Sequence, residues 1–326
     1  MHEARHSPRR SLRELPRALT LIHCRGGPER AELELSRFVE DLAQESDHKI
    51  GAVPGDPVKQ PFLPAMTLCV RGEPLLHYHF APTGHETAPF RELIWKLSSE
   101  PDPGDSGTGK RRTGGRLAQV LLFVSAQCPN CPHVVRGVTA LALNKQSFSL
   151  HILDVTQHSN LAASHRVRSV PTALVDEVPF IGLFDSDRML RILERKERTL
   201  ALQEQVLCLL EDGHLSEAGL LLAGGVDPSF LAAHFGGASF NRKLSLLAIC
   251  EEAMEADPRC LDRMAEKLLP FLDSHDSALR GDIADLLGKI GNPIAQEALA
   301  RLFRDPDPEV AEAAREAAHR ISTRPT

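Results

Sequence analysis

Residues 121–137 read L-L-F-V-S-A-Q-C-P-N-C-P-H-V-V-R-G. The apolar run 117–124 has the length of a strand, and apolar residues at helical spacing follow the two cysteines. The pattern predicts a buried strand, a turn, and a helix that begins at the cysteine pair. Cys128 and Cys131 would then lie at a helix N-terminus, where unpaired N–H groups and the helix dipole favour a thiolate over a thiol.

The spacing of the two cysteines predicts a redox-active pair. Two intervening residues let the second thiol reach the first after the first has attacked a disulfide of a substrate, so the mixed disulfide can be resolved internally. Pro129 and Pro132 fit the first helical turn, where a missing N–H costs little. We therefore predict that Cys128 is the nucleophile and Cys131 the resolving thiol.

A second feature is the proline that opens an apolar strand about 40 residues beyond the pair, in Val170-Pro171-Thr172. A cis bond between Val170 and Pro171 would end a loop beside the dithiol and present a flat backbone to an extended substrate chain. The two residues are therefore candidates for substrate binding. The sequence leaves the isomer of this bond open.

The strand and helix patterns occur twice. Residues 117–198 predict the order β-α-β-α-β-β-α, and residues 18–98 repeat that order in a weaker form. An offset of 101 residues places 27–30, which read G-P-E-R, on the cysteine motif, and Pro64 similarly takes the place of Pro171. The first half is predicted to be a duplicate that lacks the thiols.

From residue 200 onward the sequence shows only helical patterns. Two stretches that begin at Asp276 and Asp307, 31 residues apart, have apolar residues at equivalent positions. A weaker copy is predicted through Phe240, Leu244 and Leu247. Stacked helix pairs of a repeat protein fit this pattern, because one such unit cannot bury its apolar face alone.

Three motifs resemble the tandem thioredoxin folds of the protein disulfide oxidoreductases and of the N-terminal domain of the alkyl hydroperoxide reductase flavoprotein subunit. They are S-A-Q-C-P-N-C-P-H-V-V at 125–135, V-R-S-V-P-T-A at 167–173 and F-A-P-T-G-H-E-T-A-P-F at 80–90. The resemblance covers about residues 18–195. It implies an α/β protein with two tandem thioredoxin-like folds, followed here by an all-α domain that resembles HEAT-like repeats.

The resemblance also implies a role for Glu86. In that family the G-H-E segment of the first fold brings a carboxylate close to the dithiol of the second, so Glu86 is expected near Cys128 and Cys131. A carboxylate there would raise the pKa of a thiol when ionised, or transfer a proton when neutral. The alternative is that Glu86 caps the helix that follows.

The resemblance implies a protein disulfide substrate, with a peroxiredoxin as one candidate, and an external electron donor. The helical repeats are expected to dock a further protein partner. No G-x-G-x-x-G stands between a strand and a helix, and no second C-x-x-C follows, so we expect no flavin, nicotinamide or other cofactor.

The predicted domain division has five parts. They are a flexible tail at 1–15, a thioredoxin-like fold without C-x-x-C at 16–97, a linker rich in Gly, Pro, Ser and charge at 98–116, a thioredoxin-like fold with C-P-N-C at 117–198, and HEAT-like repeats at 199–326.

Charge and composition exclude several classes of function. The chain has 38 basic and 44 acidic residues, and residues 200–326 hold 12 and 21 of them, so this part is a poor ligand for phosphate backbones and we predict no nucleic-acid binding. No run of 18 apolar residues predicts a membrane span. Seven scattered cysteines without a signal-peptide core favour a cytoplasmic location.

An alternative to a redox pair is half of a zinc site, in which Cys128, Cys131 and His133 would be ligands. Structural zinc needs four ligands and the sequence has no second cysteine pair, so we predict no metal. His77 and His79 are expected to form one polar face of a strand.

The rival hypothesis of function is an interaction scaffold. In that case the helical repeats bind the partner, and the dithiol is a redox switch or vestigial.

Overall fold

The computed structural model forms two compact units, Met1–Lys196 and Glu197–Thr326. The residues that it describes are 11–70, 72–99, 118–145, 148–194 and 197–324. From residue 100 onward the predicted linker lies outside the described residues, but its predicted start at residue 98 is wrong, because residues 98 and 99 belong to the helix Thr87–Ser99. The predicted tail lies outside the described residues up to residue 10. The tail prediction is wrong for residues 11–15, because Leu12–Glu14 form a 3-10 helix and bury Leu12 and Leu15 in the core.

The N-terminal unit is built on one mixed sheet. Within the described residues the sheet has eight strands in the order β2-β1-β3-β4-β6-β5-β7-β8. The strands are β1 (Leu19–Cys24), β2 (Ile50–Pro54), β3 (Ala65–Val70), β4 (Glu73–Tyr78), β5 (Ala118–Val124), β6 (Phe148–Asp154), β7 (Thr172–Val175) and β8 (Val178–Ile181). The helices are α1 (Glu29–Glu45), α2 (Thr87–Ser99), α3 (Cys131–Lys145), α4 (Ser159–Ser164) and α5 (Ser186–Leu193).

The two halves of this sheet have the same pairing directions. In the first half β1 pairs parallel with β2 and antiparallel with β3, which pairs antiparallel with β4. In the second half β5 pairs parallel with β6 and antiparallel with β7, which pairs antiparallel with β8. The predicted order β-α-β-α-β-β-α is observed from β5 to α5. In the first half the 3-10 helix Pro57–Lys59 stands where the second half has α4.

The halves are joined by strands rather than only by loops. β4 pairs parallel with β6, so that Leu76 lies opposite Leu150 and Tyr78 opposite Ile152. These four side chains are fully buried. The pairing of β4 with β6, called the seam below, therefore joins the buried apolar residues of the two halves into one continuous core. The carboxyl end of β5, where the cysteine motif begins, therefore lies one strand away from this seam.

The C-terminal unit is helical over its described residues. Its α-helices are α6 (Arg198–Glu211), α7 (Leu215–Ala223), α8 (Phe240–Ala256), α9 (Ala265–Leu268), α10 (Ser277–Ile290), α11 (Gln296–Arg301) and α12 (Pro308–Thr323). The two superposed stretches are α10 and α12, and each begins at an aspartate whose carboxylate accepts N–H groups of the first turn, Asp276 and Asp307. The predicted apolar face is buried in both helices.

The weaker copy was predicted in the wrong phase. Phe240 and Leu244 of α8 have exposed fractions of 73% and 49%, whereas Leu246, Cys250 and Ala253 are buried. The buried set fits the apolar positions of α10 once both helices are counted from their N-caps, which the hydrophobic pattern alone did not locate. Of the described helices, none has the length and apolar character needed to cross a membrane.

Candidate active site

The cysteine pair lies where the sequence pattern places it, between β5 and α3. β5 is buried from Val120 to Val124, and α3 begins at Cys131. Cys128 is half-buried and precedes the helix, whereas Cys131 is fully buried in its first turn. Both thiols are free. The pair is therefore asymmetric, with one sulfur open to a partner and the other sulfur enclosed.

Hydrogen bonds distinguish the two sulfurs further. The backbone N–H of Cys131 donates to Cys128 Sγ at 3.2 Å. This contact places the first turn of α3 against the outer sulfur, Sγ of Cys128. Burial raises the pKa of the Cys131 thiol, and the neighbouring Cys128 sulfur and the Glu86 carboxylate raise it further. Cys131 therefore stays a thiol until a base takes its proton.

The loop that ends at Pro171 lies against the outer thiol. Cys128 Sγ donates to the carbonyl oxygen of Val170 at 3.6 Å, and the Val170-Pro171 peptide bond is cis. The Pro171 carbonyl accepts the N–H of Gly182 at 2.8 Å, which ties the start of β7 to the chain after β8. The structure thus brings Val170 and Pro171 to Cys128, across 42 residues of sequence.

The G-H-E segment of the first half packs on the loop that precedes Cys128. The N–H of His85 donates to the carbonyl oxygen of Ala126 at 3.0 Å. Gly84 has a φ of +58°, and a Cβ at this residue would lie 2.5 Å from the same oxygen. A glycine is required here by both the backbone conformation and the close approach. This contact holds the next residue, Glu86, inside the protein.

Glu86 is a buried acid that interacts electrostatically with the inner thiol, Cys131. Its exposed fraction is 0%, and neither carboxylate oxygen has a hydrogen-bond partner among the described residues. Burial raises the pKa of Glu86 to about 7, Arg136 lowers it and Asp154 raises it. The Glu86 carboxylate is also among the groups that raise the pKa of Cys131. An acid with this pKa can give or take a proton near neutral pH.

Asp154, at the end of β6, supports the loop before the cysteines, and the sequence analysis missed it. Its Oδ2 accepts the N–H of Ala126 at 3.4 Å, and its Oδ1 accepts the N–H of Thr156 at 2.7 Å and the Thr156 hydroxyl. Its exposed fraction is 4%. A lone acid at the end of an apolar strand pattern, in S-L-H-I-L-D-V, is the signal that could have found it.

His77 and His79 share one face of their strand segment. That face is buried, because a third histidine from the second half, His151, stacks on them. Pairing of β4 with β6, which no local pattern shows, brings these residues together. Within the residues that the structure describes, no group of three or more His, Cys, Asp or Glu is arranged to hold a metal ion.

A cleft of about 820 Å³ borders the loop before the cysteines and lies between the two halves. Its walls include Arg30, Glu34 and Arg37 of α1, Thr83 before the G-H-E segment, and Ala126. This volume is within the range of ligand-binding clefts. Ala126 lies two residues before Cys128 along the loop, and the described residues that line the cleft do not include either cysteine of the pair.

Comparison with known proteins first gives a class. Residues 118–194 match the thioredoxin domain family, so the region from β5 through α5 is a thioredoxin-like domain that carries a C-x-x-C motif.

Two solved structures are similar over a longer range. One is the alkylhydroperoxide reductase AhpF of Enterococcus faecalis, with 23% identity, a TM-score of 0.44, and coverage of 56% of this chain and 91% of that chain. The other is a protein disulfide oxidoreductase from Aeropyrum pernix, with 16% identity, a TM-score of 0.43, and coverage of 56% and 87%. The sequence has no significant match among curated proteins. At these values neither likeness bears on the activity of this chain.

Proposed function

We propose that this protein is a thiol-disulfide oxidoreductase that exchanges disulfides with protein substrates through Cys128 and Cys131. The observation that carries the proposal is the asymmetry of the pair. Cys128 is half-buried and accepts an N–H at its sulfur, whereas Cys131 is enclosed beside a buried carboxyl group. The first arrangement suits a nucleophile and the second suits a thiol that reacts only after a mixed disulfide has formed.

The proposed exchange has two steps. The Cys128 thiolate attacks one sulfur of a substrate disulfide, which breaks the S–S bond, forms a mixed disulfide and releases the other substrate sulfur as a thiolate. Cys131 then loses its proton to Glu86 and attacks Cys128 Sγ, so the substrate leaves with two thiols once its sulfurs are protonated. The protein keeps the Cys128–Cys131 disulfide, and an external dithiol must reduce it before the next cycle.

The substrate is proposed to bind as an extended chain at Val170 and Pro171. The Val170 carbonyl oxygen lies 3.6 Å from Cys128 Sγ, so a chain that pairs with this segment has its disulfide at the nucleophile. The cleft between the halves offers room for the flanking residues. By resemblance, a peroxiredoxin is one candidate substrate.

Reduction of insulin by dithiothreitol tests the nucleophile. The wild-type protein should accelerate precipitation of the insulin chains, and Cys128→Ser should abolish the acceleration. Cys69→Ser is the matched control, because Cys69 is a free, half-buried thiol of β3 in the half without the motif. Equal rates for wild type and Cys128→Ser would refute the assignment.

Trapping tests the resolving thiol and names the substrate. Cys131→Ser should accumulate a mixed disulfide at Cys128 when incubated with cell extract, because the second step is blocked. The double variant Cys128→Ser, Cys131→Ser is the control and should trap nothing. Trapping by the double variant would show that another thiol reacts.

We further propose that the two halves of the N-terminal unit are tandem thioredoxin folds, the first without thiols, and that the C-terminal unit is a HEAT-like module for a protein partner. Their equal pairing directions support the first statement. The stacking of α10 on α12 and the exposed Phe240 and Leu244 support the second. The seven cysteines are odd in number, scattered along the chain and free, which fits the proposed cytoplasmic location.

Variants at Phe240 and Leu244 distinguish the docking role from the rival scaffold function. If the helical unit docks the native substrate, changing both residues to serine in the Cys131→Ser background should reduce trapping of that substrate. The same two changes in the otherwise wild-type protein should leave insulin reduction unchanged. Unchanged trapping would remove the docking role. Normal partner binding by a protein with an inert dithiol would favour the scaffold.

A further inference from the structure

Three imidazole rings stack inside the N-terminal unit. His77 of β4, His79 just beyond it and His151 of β6 have exposed fractions of 6%, 0% and 2%. The ring centroids of His77 and His151 are 4.5 Å apart and those of His79 and His151 are 5.3 Å apart. This histidine cluster lies at the strand pairing that joins the two halves.

Neutral rings satisfy the hydrogen bonds of the cluster. The carbonyl oxygen of Pro64 only accepts, so Nδ1 of His79 must donate to it, at 3.0 Å. Nε2 of His79 is then an acceptor for Nδ1–H of His151, at 3.0 Å, and Nε2 of His151 accepts the Ser149 hydroxyl, at 3.1 Å. His77 exchanges a hydrogen bond with Thr67 at 2.8 Å. Protonation of two neighbouring rings would place like charges 4.5 or 5.3 Å apart inside the protein, which opposes the uptake of protons while the cluster stays closed.

The surroundings offer no carboxylate to compensate for added charge. The groups that face the rings are Phe62 and the Pro64 carbonyl from the segment before β3, Thr67 from β3, the Pro74 backbone of β4, Ser149 from β6 and His158 from the segment before α4. His158 is the further titratable group of this set. The backbone of Pro74 raises the pKa of His77 and that of Pro64 raises the pKa of His79, but burial outweighs both. Burial lowers the pKa of His77 to about 4 and that of His151 to about 3, and lowers the pKa of His79 well below its ordinary value. Among the described residues no carboxylate counters these shifts.

We propose that the histidine cluster makes the seam between β4 and β6 open in acid, which withdraws the first half, and with it Glu86, from the dithiol. The consequence for the dithiol rests on the proposed function, whereas the opening itself does not. Rings that are exposed by opening of the seam take up protons that the closed seam excludes, and proton uptake favours the open state by mass action. Glu86 follows β4 by eight residues, so it moves with that strand.

The size of the effect follows from the ordinary pKa of histidine, about 6.5. Lowering the pH from 7.5 to 5.5 protonates an exposed ring but not a ring in the cluster, which raises the opening equilibrium about 10-fold for each histidine. Three rings together give about 1000-fold. Near pH 5 the base-10 logarithm of the opening constant should increase by nearly three for each unit by which the pH is lowered.

Hydrogen exchange of the full-length protein measures this opening. The N–H of His79 donates to the carbonyl oxygen of Ile152 at 3.0 Å, across the seam. After correction for chemical exchange, protection of this amide and of its β4 neighbours should fall about 1000-fold between pH 7.5 and 5.5, while amides of β1 and β2 fall much less. Protection that is independent of pH would overturn the proposal. So would a pH dependence that corresponds to the uptake of less than one proton on opening.

Single variants assign the effect to the rings. His77→Gln and His151→Gln each remove one titrating group, and each should cut the pH-dependent loss of protection by about 10-fold. His48→Gln, at an exposed histidine after α1, is the control and should behave as wild type. A full 1000-fold loss in both cluster variants would overturn the proposal. Should either variant fail to fold, the proton count of the wild type still decides.

Insulin reduction at pH 7.5 separates this proposal from the proposed function. A protein that is active at pH 7.5 but whose seam protection ignores pH has the exchange activity without the acid-sensitive seam. A protein whose seam opens in acid but whose dithiol is inert at pH 7.5 has the opposite. Each result removes one proposal and leaves the other.

Discussion

Replacing Glu86 by glutamine should stabilise the N-terminal unit at alkaline pH. The glutamine side chain has the shape of the protonated acid but cannot ionise. In the folded protein Glu86 has a pKa of about 7, against 4.5 as the ordinary value, because the side chain is buried without a hydrogen-bond partner. Each pKa unit corresponds to 1.36 kcal/mol, so ionisation of the buried acid costs the fold about 3 kcal/mol at pH 8.

The direction of the effect follows from proton binding. Between pH 4.5 and 7 the folded state holds the Glu86 proton and the unfolded state has lost it, so the stability of wild type falls as the pH rises through this window. Glu86→Gln escapes this loss. The variant should be more stable than wild type by about 3 kcal/mol at pH 8 and by only about 1 kcal/mol at pH 5.

Urea unfolding followed by tryptophan fluorescence provides the assay. Trp95 is the single tryptophan of the chain and lies in α2, directly after the G-H-E segment, so it reports on this unit. Glu40→Gln, at an exposed acid of α1, is the control and should change the free energy of unfolding by less than about 0.5 kcal/mol at either pH. A Glu86→Gln protein that is no more stable than wild type at pH 8, or a difference that does not narrow at pH 5, would show that Glu86 is not a strained buried acid.

Two pairs of glycine variants test the close contacts. Gly84→Ala places a Cβ 2.5 Å from the Ala126 carbonyl oxygen at a φ of +58°, so it should lose about 2 to 4 kcal/mol by the fluorescence assay and also lower insulin reduction. Gly72→Ala, with a φ of +85° and open space around it, should lose only about 1 to 2 kcal/mol and keep full activity; equal losses in the two variants would contradict the contact. In α10, Gly288→Ala places a Cβ 2.6 Å from a backbone carbon of α12 and should lower the thermal midpoint of circular dichroism, whereas Gly281→Ala, whose nearest neighbour is 3.9 Å away, should raise it slightly. A higher midpoint for Gly288→Ala would show that the two helices are not packed this closely.

The elements of the N-terminal unit were predictable because their signals are local. The run A-Q-V-L-L-F-V at 118–124 has the length of a buried strand. The residues that follow the cysteine motif have apolar side chains at helical spacing, and they form α3. In the C-terminal unit Asp276 and Asp307, which open the two similar stretches, are the N-caps of α10 and α12, since a short acceptor before an apolar run satisfies the first turn. The phase of α8 was missed because its exposed Phe240 and Leu244 imitate a buried stripe.

The surroundings of the dithiol were less accessible to prediction. Resemblance pointed to Glu86, but the pattern around it fits a helix cap equally well, and only the contact of Gly84 and His85 with Ala126 shows why the carboxyl group is enclosed. Asp154 gave no signal beyond its place after a strand. The histidines of H-Y-H-F alternate as a solvent-facing strand would, and the sequence alone does not show that His151 covers them.

By itself the amino-acid sequence determined the order of strands and helices, the asymmetric placement of two thiols at the start of a helix, and the division into a mixed unit and a helical unit. These properties depend on side-chain periodicity and on neighbours within a few residues. The tertiary structure decided that β4 pairs with β6, that an acid from one half is buried beside the inner thiol of the other, and that three histidines lose contact with water. Burial and the pKa shifts that follow from it depend on which distant segments exclude solvent, and no local pattern in the chain contains that information.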